Sequence, residues 1–261
     1  MTIKLDCHAH SHHSPDACPS IKEMCIVAEK RGLEILTVTD HCDVDEYSEE
    51  TLKEQLTNMY NEIRECRKQS KVKLLYGIEL NGYFENEKLG KEMLHFLDYD
   101  VILGSVHNVI GQESFMSWRF DRNKMNEIMD EYFELMLKTA MIDEINVMAH
   151  LTYPMRYISG IPIKNYMRDI IEIFKVMKQN GKALELNTGG MMHETDKPSP
   201  DFDLLKIYRE CGGELVTYGS DSHDTRFIAN KMEYAYELIK AAGFKYITYF
   251  EKQKANLVSI D

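Results

Sequence analysis

Short apolar runs alternate with stretches in which apolar residues recur every three or four positions. The runs have the length of buried strands and lie at 2–7, 34–39, 72–77, 101–106, 144–149, 182–186 and 214–218. The stretches between them have the period of amphipathic helices, with clear examples at 21–28, 52–63, 128–136, 170–177 and 230–241. Ser20 and Glu23 form a capping box at the first of these helices, and Ser199-Pro200 predicts the start of a later one.

Seven repeats of strand and helix predict a parallel sheet with right-handed crossovers. A closed or nearly closed β/α barrel is one way to build such a sheet, and an open doubly wound sheet is the other. The last residues, 246–249 and 256–260, are predicted to add one or two outer strands. Because both architectures share this hydrophobic pattern, the positions of the polar residues decide between them.

Residues that commonly bind metals follow the predicted strands one after another. They are His8, His10, Asp40, His41, Glu79, His107, His150, Asp221 and His223. Each alone has an ordinary explanation, such as a turn, a helix cap, a salt bridge or a hydrogen-bonded core histidine. In a barrel the carboxyl ends of the strands converge on one point, whereas an open sheet spreads them along a line. The set therefore favours a barrel with a site at these ends.

The chemical types of these residues indicate which ions they bind. Imidazole and carboxylate ligands together suit zinc, manganese or iron rather than calcium. One catalytic zinc ion takes three protein ligands, and the present series is longer than that. The sequence therefore predicts a centre with more than one metal ion.

The composition is that of an ordinary globular domain, with 261 residues, of which 44% are hydrophobic and 28% charged. An α/β barrel commonly needs about 250 residues, so we expect a single domain over 1–261. The net charge of -12 argues against binding to long nucleic acids or to a membrane surface. No apolar run is long enough to span a membrane and the six Cys form no CxxC pair, so we expect a cytoplasmic protein with reduced thiols.

The order and spacing of the motifs resemble the PHP family, the polymerase and histidinol phosphatase domain. The resemblance spans essentially the whole chain and rests on His8-Ala9-His10, Thr39-Asp40-His41, Gly77-Ile78-Glu79, Ser105-Val106-His107, Ala149-His150 and Ser220-Asp221-Ser222-His223. It implies an α/β fold of the distorted (β/α)7 barrel type, with a trinuclear metal site at the C-terminal ends of the strands. The segment 243–252 is similar to the histidinol-phosphate phosphatases of this family.

Carried over to this chain, the resemblance implies ligands for three divalent ions of zinc, manganese or iron. The first ion would be held by His8, His10, Glu79 and Asp221. Glu79 would bridge to a second ion held also by His107 and His150. The third would take Asp16, His41 and His223; Asp16 stands where many family members carry His, and His12 or His13 is the alternative. Glu79, Asp221 and His223 are also predicted to be catalytic.

The reaction that fits such a site is hydrolysis of a phosphate monoester. Bound ions acidify water, and a hydroxide that bridges two ions attacks phosphorus while the metals neutralise the phosphate oxygens. Arg156 and Arg119 are candidate substrate-binding residues, because a guanidinium binds phosphate in a bidentate manner. Glu185 is a candidate for binding the substrate's ammonium or imidazole group, or for orienting a ligand histidine.

The sequence thus predicts a phosphoric monoester hydrolase of histidine biosynthesis, a histidinol-phosphatase that converts L-histidinol phosphate and water to L-histidinol and phosphate. One alternative is a phosphoesterase of the same family that acts on a nucleotide, a short oligonucleotide or a phosphopeptide. The absence of a basic, aromatic-rich groove weighs against long nucleic acids. A second alternative is an inert structural module, which the retention of every ligand position in some form disfavours.

Overall fold

Seven parallel strands form the centre of the molecule, in the order in which they occur along the chain. The structure is a computed structural model that describes residues 3–117, 122–192 and 196–260. The strands are β1 (Leu5–Ala9), β2 (Ile35–Asp43), β3 (Lys73–Asn81), β4 (Val101–Gly104), β5 (Val147–Met148), β6 (Ala183–Asn187) and β7 (Val216–Gly219). Each strand pairs in parallel with the next. The α/β architecture and the succession of strands are those predicted from the sequence.

Helices connect the strands and cover the outside of the barrel. They are α1 (Ile21–Lys30), α2 (Glu49–Arg67), α3 (Glu87–Leu94), α4 (Met125–Ala140), α5 (Met167–Gln179), α6 (Phe202–Glu210) and α7 (Met232–Ala241). The predicted capping box of α1 is confirmed, because the Ser20 side chain accepts a hydrogen bond from the Glu23 backbone N–H. The apolar pattern does not predict α3, whose eight residues are too few for the period to stand out.

The prediction that Ser199-Pro200 begins a helix is wrong. Asp201 is the N-cap of α6, and its side chain accepts a hydrogen bond from the Leu204 backbone N–H. Ser199 instead forms a backbone bridge with Asn187 at the end of β6. Its hydroxyl lies 2.8 Å from the Thr152 hydroxyl. These partners place 199 at the rim of the barrel, before the helix starts.

The barrel is nearly closed at the seam between β1 and β7. Beyond β7, the Asp221 N–H donates to the His8 carbonyl and the His10 N–H donates to the Ser222 carbonyl, both at 2.8 Å. On the β1 side of the seam, the buried Asp6 carboxylate accepts hydrogen bonds from the backbone N–H groups of Ser220 and Ala229. The seam therefore brings the carboxyl ends of the first and last strands into direct contact.

The C-terminal residues form an antiparallel hairpin of β8 (Tyr246–Glu251) and β9 (Lys254–Ser259). These two strands pair with each other and do not extend the main sheet. The Phe250 side chain packs inside the barrel with Val101, Val147 and Ala183, which lie at the amino ends of their strands. The hairpin therefore closes the amino end of the barrel, opposite the end that carries the polar motifs.

Three strands continue further than the apolar runs predict. The predicted strands at 2–7, 34–39 and 72–77 end in the structure at Ala9, Asp43 and Asn81. The polar motifs of β1, β2 and β3 thus lie within the strands, where each side chain has a fixed face. In the described part of the chain, no helix is long and apolar enough to cross a membrane.

Candidate metal centre

Alternation along the first three strands places the polar motifs inside the barrel. His41 and Asp43 lie two residues apart on β2, and Glu79 and Asn81 lie two residues apart on β3. The register sets His41 beside Glu79 and Asp43 beside Asn81. Because residues two apart share a face of a strand, all four side chains point to the same region. His8 on β1 joins them there.

The remaining polar motifs reach the same region from the loops after the later strands. His107 follows β4, His150 follows β5, and Asp221 and His223 follow β7. His150 and Asp221 adopt positive φ angles of 22° and 54°, a strained conformation for residues other than glycine. Strain of this kind is tolerated where the surrounding structure enforces a particular side-chain direction. The His150 side chain points toward Glu79, and the Asp221 side chain points toward His8.

A first group of donor atoms consists of His8 Nε2, His10 Nε2 and Asp221 Oδ1. The two imidazole nitrogens lie 3.0 Å apart. The Asp221 oxygen lies 3.3 Å from His10 Nε2 and 3.5 Å from His8 Nε2. All three side chains are buried, so the structure sets three electron-pair donors around one small buried space.

Glu79 lies between this group and a second one, which consists of His107 Nε2 and His150 Nε2. Its Oε1 is 2.6 Å from His150 Nε2 and 3.3 Å from His107 Nε2. Its Oε2 is 3.4 Å from His8 Nε2 and 3.1 Å from His41 Nδ1. The two oxygens of one fully buried carboxylate therefore face two different sets of imidazoles.

A third group lies nearer the surface. The Nε2 atoms of His41 and His223 are 3.4 Å apart. Asp16 Oδ1 lies 3.5 Å from His41 Nε2, and Asp16 Oδ2 lies 3.3 Å from His223 Nε2. His12 and His13, the alternatives to Asp16, lie apart from this group, because both imidazoles turn to Glu62 on α2.

Several donor atoms of this region lack the hydrogen bonds that buried polar atoms normally make. They are His41 Nδ1, Asp43 Oδ1, Glu79 Oε2 and His150 Nδ1. The contacts of 3.0–3.5 Å between facing nitrogens and oxygens match the edges of a coordination shell, since metal bonds of about 2.0–2.1 Å give edges of about 2.9–3.4 Å. The donor set fits divalent transition metals, and this end of the barrel carries several groups of residues that could hold a metal ion.

The charges of the region shift the pKa values of its carboxyl groups. Burial alone raises the pKa of the Glu79 carboxyl, but His8, His107 and His150 outweigh burial and bring this pKa well below its usual range. For Asp221, burial is likewise outweighed, by His8 and Arg156, so its pKa is also depressed. The Asp16 pKa is lowered because hydrogen bonds with His223 and His41 exceed the effect of burial. All three groups are therefore anionic donors near neutral pH.

Glu185 on β6 supports the site from behind. Its Oε1 accepts a hydrogen bond of 2.7 Å from His8 Nδ1, and its Oε2 accepts one of 2.8 Å from the His150 backbone N–H. A Cβ at Gly219 would lie 2.0 Å from Glu185 Oε1, so the glycine on β7 leaves room for this pair. Glu185 does not line the cavity described below, so its position fits the orienting alternative and not substrate binding. The bond to Nδ1 leaves His8 Nε2 free to act as a ligand.

Of the two predicted phosphate-binding arginines, the structure describes only Arg156. Arg156 is buried, and its guanidinium donates hydrogen bonds of 2.9 Å to Asp221 Oδ2 and 2.6 Å to Asn187 Oδ1. It also lies over the Tyr153 ring, 5.1 Å from the centroid. Arg156 therefore carries a fixed positive charge next to the donor groups. Arg119 lies outside the described residues.

Sequence reasoning missed several residues of the site. Asp43 lies near His41 and His107, with one potential ligand atom of each residue within 4.8 Å of the others, and the alternation of β2 is the signal that would have indicated it. Asn81 accepts a 2.8 Å hydrogen bond from the His107 backbone N–H and so positions that loop. Asp40, by contrast, was among the candidates from the sequence, but its carboxylate accepts hydrogen bonds from the Ser11 and Ser14 hydroxyls and so holds the β1–α1 loop.

A cavity of about 560 Å³ lies over the three donor groups. This volume is in the usual range for a small-molecule site. Among the described residues, Arg156 is the only lysine or arginine that lines it. Its outer walls carry apolar and aromatic side chains together with two further acids, namely Met116, Tyr153, Tyr157, Phe227, Glu46 and Asp224. The cavity thus combines a polar floor with a partly apolar entrance.

Comparisons with known proteins agree with this site. The sequence profile described as the PHP domain matches residues 6–189. The chain is 28% identical over 245 residues to a probable histidinol-phosphatase of Thermotoga maritima, covering 93% of this chain and 94% of that one. It is 27% identical over 263 residues to a histidinol-phosphatase of Lactococcus lactis subsp. lactis, covering 96% of each chain.

The fold is similar to a crystal structure of histidinol phosphate phosphatase from Lactococcus lactis subsp. lactis complexed with zinc, L-histidinol and phosphate. The TM-score is 0.80 and the sequence identity is 25%, with 97% of this chain and 98% of that chain covered. A relative with this overall shape therefore holds zinc, L-histidinol and phosphate together.

Proposed function

Since this chain belongs to the PHP domain family, we propose that it is a metal-dependent histidinol-phosphatase that hydrolyses L-histidinol phosphate to L-histidinol and phosphate. The observation that carries the proposal is similarity over nearly the whole length to histidinol-phosphatases, one of them with zinc, L-histidinol and phosphate bound. The arrangement of donor groups around one cavity supports the reaction class. We propose further that residues 1–261 form a single catalytic domain.

The proposal assigns three divalent ions, of zinc, manganese or iron, to the three donor groups. The first ion takes the group of His8, His10 and Asp221, the second the group of His107 and His150, and the third the group of Asp16, His41 and His223. Glu79, whose two oxygens face different imidazoles, is the bridging ligand. When bound, these ions supply positive charge for a phosphoryl group and acidify water for attack on phosphorus.

The protein's own residues fix the phosphate end of the substrate. Arg156 supplies the only lysine or arginine charge of the cavity wall within the described residues, and it is held in place by Asp221 and Asn187. Glu79, Asp221 and His223 are the groups we assign to the reaction itself, because they stand at the junctions between the donor groups. With the ions bound beside Arg156, an anionic substrate would meet local positive charge although the whole chain is acidic.

The outer cavity suits the organic part of the substrate. L-histidinol phosphate carries an ammonium group and an imidazole ring. Tyr157, Met116 and Phe227 offer apolar surface for a ring, and Glu46 offers a carboxylate for a cation. Asp224 is less available, because its carboxylate is already paired with the Arg226 guanidinium.

The decisive experiment is the release of phosphate from L-histidinol phosphate by protein loaded with zinc or manganese. We expect the rate with this substrate to exceed the rates with p-nitrophenyl phosphate, a nucleoside monophosphate and a phosphotyrosine peptide. Equal rates on all four would contradict the substrate but keep the reaction class. No phosphate release from any of them, with metals bound, would overturn the proposed function.

Glu185→Gln should weaken the first metal position without removing a ligand. The amide keeps the shape of the side chain but withdraws the charge that orients His8 through its Nδ1. Changes behind a ligand commonly cost about 10–100-fold in metal affinity or activity. Zinc titration and phosphate release measure the effect. Thr217→Ser, a conservative change on the neighbouring β7, is the control, and an equal loss there would contradict the specific role of Glu185.

Asp16→Asn should remove about one of the three metal equivalents. The side chain keeps its size but loses the charge that faces His41 and His223. We expect the hydrolysis rate to fall by roughly tenfold, because one ion no longer shares the charge of the phosphate. Elemental analysis and steady-state rates check this. Asp224→Asn at the same rim is the control and should keep all three equivalents, while full metal content in Asp16→Asn would refute its ligand role.

Glu46→Gln should raise KM for L-histidinol phosphate about threefold to tenfold and change kcat little. The change removes a partly solvated ion pair with the substrate, and such binding contributes equally to the ground state and the transition state. Hydrolysis of p-nitrophenyl phosphate, which has no cationic group, should be unaffected. Glu50→Gln removes the same charge from the exposed start of α2 and serves as the control. An unchanged KM in Glu46→Gln would exclude this contact.

A further inference from the structure

A second group of histidine and glutamate side chains lies outside the cavity. His12 and His13 belong to the loop between β1 and α1, and Glu62 belongs to α2. His13 Nε2 lies 2.9 Å and His12 Nε2 lies 3.6 Å from the same oxygen, Glu62 Oε2. None of the three lines the cavity, and none belongs to the donor groups of the proposed centre.

The position of His12 is not explained by a simple hydrogen bond. His13 already occupies Glu62 Oε2 at hydrogen-bond distance. His12 is 43% exposed at its side chain and has solvent available to it, yet its Nε2 turns to the same oxygen. The two imidazole rings lie 4.2 Å apart at 34°, so both present their Nε2 atoms side by side. Two imidazole nitrogens and one carboxylate oxygen therefore converge on a small volume at the surface.

Glu62 is held in place for this role. Its other oxygen, Oε1, accepts a 3.0 Å hydrogen bond from the Ile21 backbone N–H at the start of α1. Within the described part of the chain, no lysine or arginine forms an ion pair with Glu62. The carboxylate thus has a fixed direction and no permanent cation of its own. The loop is also closed locally, since the His12 N–H donates to the Pro19 carbonyl at 2.8 Å.

We propose that His12, His13 and Glu62 form a separate zinc site on the surface, with water completing the coordination. Two histidines and one glutamate are a common set of three protein ligands for zinc, and a site open to solvent keeps further positions for water. The present distances of 2.9 and 3.6 Å are near the edges of about 2.9–3.4 Å that such a shell requires.

The site would connect two elements that are distant in sequence. A zinc ion there ties the β1–α1 loop to α2 across about 50 residues of chain. The same loop carries Asp16, which the proposed function assigns to the third ion of the main centre. The surface site does not depend on that assignment, because it shares no ligand with the main centre.

The test is equilibrium dialysis of the full chain against a fixed free zinc concentration, followed by elemental analysis. We expect the wild-type protein to bind about one zinc equivalent more than His12→Ala and one more than Glu62→Gln. Glu62→Gln keeps an acceptor for the Ile21 N–H, so it removes a ligand charge with little effect on the fold. His12→Ala changes an exposed loop residue, and circular dichroism of both variants verifies folding.

His95→Ala is the matched control. His95 is an exposed histidine whose Nε2 lies 3.2 Å from Glu144, but no second histidine accompanies it in the described structure. We expect this variant to bind as much zinc as the wild type. Equal zinc content in wild type, His12→Ala and Glu62→Gln overturns the proposed surface site, and so does an equal loss in His95→Ala.

Discussion

Glu79→Gln is expected to lower the rate of phosphate release from L-histidinol phosphate by at least about a thousandfold. The same variant should lose most of its bound metal. The two carboxylate oxygens of Glu79 face the imidazole Nε2 or Nδ1 atoms of all three donor groups. The glutamine amide has one oxygen, which carries less charge than a carboxylate oxygen. This oxygen can face one of the groups, and the other groups then face an NH2, which donates hydrogen bonds and is a poor metal ligand.

The surroundings of Glu79 explain why the effect should be this large. His150 and His41 lie 2.6 Å and 3.1 Å from its two oxygens, and the side chain is 0% exposed. With the carboxylate removed, the imidazoles nearby lose their central anion, and binding of several divalent ions becomes less favourable. Because the side chain is fully buried, bulk solvent compensates little for the lost charge.

The measurement combines elemental analysis with steady-state kinetics on metal-loaded protein. Glu214→Gln is the control, since Glu214 is exposed just before β7 at the amino end of the barrel. It should keep both its metal content and its rate. If Glu79→Gln retained full metal content and more than a tenth of the rate, Glu79 would not be the bridging ligand.

Removal of the metals with a chelator is the second change with a large expected effect. We expect loss of detectable hydrolysis and a fall in Tm of at least about 5–10 °C, since each ion present at about 100 times its Kd contributes about 2.7 kcal/mol to the free energy of unfolding. Without ions, the buried imidazoles and carboxylates around Glu79 lose their common ligand. Zinc or manganese added back should restore both properties.

The chelator experiment has an internal control. Glu79→Gln protein, which should hold little metal, ought to show a small change in Tm when the chelator is added. Differential scanning calorimetry measures the shift in both proteins. A wild-type Tm that is the same with and without chelator, in protein shown to have lost its metals, would refute the link between metal binding and stability.

Local pattern was enough to predict the architecture. The seven apolar runs correspond to β1 through β7, because a buried parallel strand has to be continuously apolar up to its carboxyl end. The polar residues that end those runs were correctly expected to converge, and His8, Glu79 and His150 do lie together. The prediction of strand ends was less accurate, since polar residues such as Asp43 and Asn81 lie inside the strands and face the barrel interior.

Other features depend on residues far apart in sequence, and local pattern carries no information about them. Glu185 meets His8 across 177 positions, so only the folded barrel shows that it accepts a hydrogen bond from this histidine and does not line the cavity. The hairpin of β8 and β9 was expected as outer strands but closes the amino end of the barrel through Phe250.

The loop after β1 shows the same division within a few residues. The sequence supplies Asp16 as the candidate for one ligand position and His12 or His13 as the alternative. The tertiary structure separates them, because Glu62 on α2 draws the two histidines to one side while His41 and His223 lie beside Asp16. The sequence by itself thus determined the barrel and the kinds of donors at its carboxyl end. Which donors share a centre was decided only by packing between strands and helices, since direction and distance come from the whole fold.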